Sequence, residues 1–119
     1  MLEDLPPIQV DQGYCRCNLL PLKDNHFITS DGGIFKVLKR CHLDVLQVTP
    51  EGILLEGFSH GFFGGCCGIF EDKVFVNGSL DHFQDGEMVR NYLNKLGYKI
   101  VELIDGPLMD CGSIFFVIR

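Results

Sequence analysis

The chain carries one pattern twice. Residues 25–50 contain "HFITSDGGIFKVLKRCHLDVLQVTP", which reads strand, helix, strand, and residues 73–106, "KVFVNGSLDHFQDGEMVRNYLNKLGYKIVELIDG", read the same way. A strand-like lead-in precedes each copy, at 15–22 and 62–70. Repeated units that cannot bury their apolar faces alone pack side by side around a shared core. The pattern therefore predicts an α/β fold of about two ββαβ units, with a mixed sheet and two main helices on one face of it. The 119 residues suffice for a single domain over 1–119. The units are expected to span about 13–56 and 57–119, and residues 1–12, with Pro6-Pro7, are expected to form an extended arm, with 8–10 a candidate for strand pairing.

The local signals are specific. Ser30 or Asp31 caps the first helix, and Ile34, Val37, Leu38 and Cys41 follow at the i, i+3, i+4, i+7 spacing of a buried stripe. Lys39 and Arg40 suit its C-terminal end. The second helix, near 84–96, is expected to bury Met88, Val89, Tyr92, Leu93 and Leu96 and to stop at Gly97. Strands are expected at 44–48, 53–55, 74–76, 100–104 and 114–118, the last two buried on both faces because their apolar residues are consecutive.

Charge narrows the partners. The net charge is −6, and Lys36, Lys39 and Arg40 form only the solvated face of one helix, so no nucleic-acid partner is expected. Met1-Leu2-Glu3-Asp4 is acidic where a secretory signal is basic, and no apolar run reaches membrane-spanning length. The expected location is the cytoplasm, without membrane contact. There the six cysteines remain thiols rather than a disulfide framework.

The run "GFSHGFFGGCCGIF" at 57–70 holds five glycines, so a strand there must bulge or kink. Within it Cys66 or Cys67 is a candidate nucleophile, with His60 as base, and Asp110 of Asp110-Cys111-Gly112-Ser113 is a candidate substrate anchor. The glycines converge backbone N–H groups able to hold an anion. Gly64, Gly65, Gly68, Asn77 and Ser113 are the candidate ligand-binding residues. A structural reading competes at both places. The two cysteines can fill tight space between a bulged strand and a helix, and Asp110 can cap N–H groups of a turn whose Gly112 takes an unusual φ.

Other constellations are weaker. Cys15, Cys17, His60, Cys66 and Cys67 offer soft ligands, but their spacing does not match the paired motifs of structural zinc, and no metal or cofactor is expected. His42-Leu43-Asp44 sits at a helix-to-strand junction for which Gly97-Tyr98-Lys99-Ile100 is the plain counterpart. His82, between Asp81 and Asp85, reads as a solvated loop residue, with a ligand contact at the following helix N-terminus as the alternative.

The motifs Phe27-Ile28-Thr29-Ser30-Asp31, Gly61-Phe62-Phe63-Gly64-Gly65, Asn77-Gly78, Pro107-Leu108 and Asp110-x-Gly112-Ser113-Ile114 occur in this order. Together they resemble the C-terminal half of a bacterial domain-of-unknown-function family, chiefly from Firmicutes, assigned to the guanidino-group-modifying-enzyme or pentein fold. The resemblance covers residues 17–118. It implies ββαβ units of the kind that penteins arrange five to a ring around a central site. Two units imply either a piece of a longer protein or a short member that completes itself by association, most simply as a homodimer. Pentein enzymes place a cysteine nucleophile after a glycine pair in the last unit. The nearest stretch here, Gly112-Ser113-Ile114-Phe115-Phe116, has phenylalanine where that cysteine is expected, so the catalytic set does not carry over. The expectation is a non-catalytic small-ligand-binding or assembly module. The alternative is a cysteine-dependent hydrolase or transferase acting on a guanidine or amide group.

Overall fold

The computed structural model describes residues 18–114. The expected arm at 1–12, Cys15 and Cys17, and the part of the last expected strand beyond Ile114 lie outside the described residues.

The repeat is real. In the first unit β1 (Leu19–Leu22) pairs antiparallel with β2 (His26–Thr29), α1 (Gly32–Arg40) follows, and β3 (Asp44–Gln47) returns parallel to β2. In the second unit β4 (Cys67–Phe70) pairs antiparallel with β5 (Lys73–Val76), α2 (Gly86–Lys95) follows, and β6 (Lys99–Glu102) returns parallel to β5. The strand orders, β1-β2-β3 and β4-β5-β6, are the same. The ladders make Cys67 the counterpart of Leu19, Gly68 of Leu20 and Val74 of Phe27.

The strands form two three-stranded mixed sheets rather than one common sheet. The alternation of strand side chains explains the stacking. Phe27 and Val45 point to one face of the first sheet and make a small core with Ile34 and Leu38 of α1. Leu20, Leu22 and Ile28 join the main core with Val74 and Val76 of the second sheet and Val89 and Leu93 of α2. Leu46, Tyr92 and Ile100 pack against that core, half-buried. The helices therefore serve different partners. Helix α1 covers its own sheet, whereas α2 is shared. A polar clamp marks the shared seam: the Tyr92 hydroxyl donates to Asp44 Oδ1 at 2.7 Å, and His26 Nε2 lies 3.6 Å from Asp44 Oδ2.

Several local expectations need correction. Asp31, not Ser30, caps α1, accepting from Ile34 N at 3.0 Å; Ser30 Oγ instead accepts from Phe63 N at 3.0 Å and ties the units together. Cys41 is exposed just past the helix. Met88 is 42% exposed, because the α2 stripe buries only Gly86, Val89 and Leu93. The expected strand at 53–55 is a single bridge, Leu54 to Met109. Residues Phe63–Cys66 wind into a 3-10 turn before β4 starts. Leu103 and Ile104 follow β6 and are 51% and 52% exposed, since β6 is an outer strand. The extra residues of the second unit go mainly into a 3-10 turn at Leu80–His82, so α2 has ten residues against nine in α1. Gly97 terminates α2 with φ +88, as its position implies.

Candidate functional site

The glycine-rich stretch is a bed for the C-terminal segment. Met109 N donates to the Asn77 carbonyl at 3.0 Å, and Asn77 Nδ2 returns a bond to the Met109 carbonyl at 3.1 Å. Cys111 N and Ser113 N both donate to the Gly65 carbonyl, at 3.0 and 2.8 Å. Ser113 Oγ donates to the Gly64 carbonyl at 3.1 Å, and Ile114 N to the Cys67 carbonyl at 3.0 Å. A Cβ on Gly68 would collide with the Ile114 backbone, and one on Gly78 with Pro107. These residues are glycine because another stretch of chain lies directly on them.

Asp110 locks the segment in place. Its Oδ2 accepts from Phe62 N at 2.8 Å and its Oδ1 from Gly112 N at 2.9 Å. The carboxylate fills the space that side chains on Gly61 and Gly65 would need. Gly112 has φ +79, the left-handed conformation that closes this Asx turn. The visible partners of Asp110 are thus backbone N–H groups, and the turn reading of this motif describes its geometry.

Both vicinal cysteines are sealed. Cys66 and Cys67 are 0% and 1% exposed. Burial pushes the Cys67 thiol far above its ordinary range, and the nearby Cys111 thiol adds to the shift. A neutral buried thiol is a poor nucleophile, since the thiolate is the reactive form. Cys66 Sγ donates to the Phe62 carbonyl at 3.5 Å. His60 Nδ1 donates to the Gly61 carbonyl at 3.0 Å, and its ring stands edge-on to Phe62. The four described cysteines, Cys41, Cys66, Cys67 and Cys111, are thiols. Among the described residues no group of three or more His, Cys, Asp or Glu could hold a metal ion.

The structure brings four of the sequence-predicted residues, Gly64, Cys67, Gly68 and Ser113, to the wall of one groove of about 790 Å³. It lies along the outer strands of the two units, between β1 and β4. Leu19, Pro21, Ile69 and Ile114 supply apolar walls, and Lys23, Asp24, Asn25 and Tyr98 stand at one end. Lys23 Nζ lies 4.5 Å above the Tyr98 ring, while Lys23 N donates to the Tyr98 hydroxyl at 2.9 Å. Burial raises the Tyr98 pKa, the Lys23 N–H partly offsets this, and the Asp24 charge adds to the rise. Cys66, His60, Asp110, Gly65 and Asn77 are not among the groove-lining residues.

A model for a family of unknown function, DUF6873, matches residues 2–115. The chain belongs to that family. No curated protein and no solved structure matches it. For this DUF6873 protein the chemistry must accordingly be read from the site. No sequence motif singles out the β1 side of the groove. The signal that points to it is the repeat itself, which makes the lead-in strand of the first unit the counterpart of β4.

A second polar cluster belongs to the end of β6. Glu102 Oε2 accepts from Ser79 Oγ at 2.8 Å and Leu80 N at 2.6 Å, with Arg90 at 3.4 Å. Burial raises its pKa, but these donors and the Arg90 charge outweigh that and hold the carboxyl below its usual range. Arg90 also reaches Asp81 at 2.9 Å, and the exposed His82 meets Asp105 at 3.0 Å. These bonds brace the Leu80–His82 turn. Among the described residues no helix is long and apolar enough to cross a membrane.

Proposed function

We propose that this chain is a bacterial, cytoplasmic, pentein-like module that binds a small ligand without catalysing a reaction on it, and that it works as a homodimer. The observation that carries the reading is the groove between β1 and β4. It is concave, mostly apolar, rimmed by a few polar groups, and within the size range of small-molecule sites. The sealed vicinal cysteines speak for binding over covalent catalysis. The pentein assignment draws support from two ββαβ units with identical strand order and pairing. The exposed apolar residues Leu54, Phe58, Leu103, Ile104 and Met109 support self-association.

The test is titration with a neutral solvatochromic dye, using Ile69→Arg and Pro21→Trp to obstruct the groove. Dye binding by the wild type that both variants weaken, with thermal unfolding preserved, supports the reading. Undiminished binding in both folded variants, or no binding at all, overturns it. Rapid iodoacetamide labelling of Cys66 or Cys67 in the folded protein would favour the cysteine hydrolase or transferase instead.

A further inference from the structure

From the charges at the groove's mouth we infer the ligand class: an amphipathic zwitterion, with an alkyl or other extended apolar body lying between β1 and β4, a carboxylate at Lys23 and an ammonium at Asp24. The inference rests on the groove being the binding site.

The body follows from the walls. Leu19 and Pro21 on one side, and Ile69 and Ile114 on the other, are half-buried apolar groups. Such a surface gains by excluding water and offers little to a polar body.

The head follows from charge. Lys23 and Asp24 are both exposed and both line the groove. They flank Tyr98: the Lys23 ammonium lies over the ring face, and the Asp24 charge is felt at the hydroxyl. Neither is in an ion pair with the other or with any described residue. Two opposite charges, not paired with one another, at one end of an apolar groove complement a head that carries both signs. A simple anion would gain from Lys23 and be repelled by Asp24, and a simple cation would meet the reverse. Asp24 and Asn25 have φ +56 and +57, a left-handed pair inside the Lys23–Asn25 turn that ends the extended run of β1.

The experiment is a twelve-carbon series competed against the neutral dye at low ionic strength: 2-aminododecanoate, dodecanoate, dodecylamine and dodecanol, each below its micelle concentration. The expected order puts the zwitterion first. Lys23→Met should weaken 2-aminododecanoate and dodecanoate by roughly threefold to fivefold, the scale of an exposed ion pair, and leave dodecylamine no weaker. Asp24→Asn should weaken 2-aminododecanoate and dodecylamine and leave dodecanoate no weaker. Lys23→Arg should retain binding of the zwitterion. Equal affinity of dodecanol and 2-aminododecanoate overturns the inference while leaving the groove as an apolar site. So does dodecanoate or dodecylamine binding tighter than the zwitterion, or an order that neither variant changes. Failure of every compound and of the dye overturns the groove reading itself.

Discussion

The Asp110 carboxylate stands where a side chain on Gly65 would have to be. The same carboxylate accepts from Phe62 N and Gly112 N, so one group occupies the glycine's empty space and pins two backbone turns. The glycine and the aspartate form one structural device.

Gly65→Ala should therefore destabilise the protein by about 1–3 kcal/mol, the usual range for overpacking, measured by chemical denaturation. The penalty should shrink in an Asp110→Gly background, because the colliding atoms are gone. Equal penalties in both backgrounds would show that the two residues act independently.

Leu93 is fully buried in the core shared by the two units. Leu93→Ala should cost about 2–5 kcal/mol. Met88 on the same helix is 42% exposed, and Met88→Ala should cost about 0.5 kcal/mol or less. Comparable losses at both positions would contradict the orientation of α2.

Cys67 should make stability fall at high pH. Its folded pKa is raised by burial above the unfolded value of 9.0. Below that value both states hold the proton and the stabilisation is complete. Above it the unfolded chain loses the proton first, so stability declines toward the folded pKa, with a limiting slope of about 1.4 kcal/mol per pH unit for one group. Cys67→Ala should remove that component from a denaturation series between neutral pH and pH 10. In the folded protein iodoacetamide should label the exposed Cys41 and Cys111 well before Cys66 and Cys67. An unchanged pH profile in Cys67→Ala would reject the burial argument.

The full chain should scatter light as a dimer at micromolar concentration. Exposed Leu103 and Ile104, just beyond the outer strand β6, are positioned to contribute to an interface, and a symmetric pair is the commonest closed assembly. A monomeric mass across that range would remove the assembly part of the proposed function.

Much of the secondary structure could be read from short stretches of sequence. The apolar spacing of Ile34 with Leu38 and of Val89 with Leu93, the cap at Ser30 or Asp31 and the Gly97 stop act within a few residues of one another, and those elements formed where the pattern put them. So did both ββαβ units. The site was harder to read because its contacts are remote. The glycines at 61, 65 and 68 look alike whether they cradle an anion or a strand, and the deciding partner, the segment around Asp110 and Ser113, lies as much as 49 residues further along. Periodicity also could not assign Met88, which is apolar and close to the buried stripe but faces solvent.

The sequence by itself determined the two α/β repeats, their helices and the Gly97 stop, because local propensity and periodicity act over one or two turns of chain. Only the tertiary structure decided that the strands split into two sheets sharing α2, that Cys66 and Cys67 are sealed under the chain, and that β1 and β4 leave a groove ended by Lys23 and Asp24. Those outcomes depend on how two separately formed units pack face against face. Burial, and with it the protonation of a thiol or the exposure of a charge, is settled only when that packing closes.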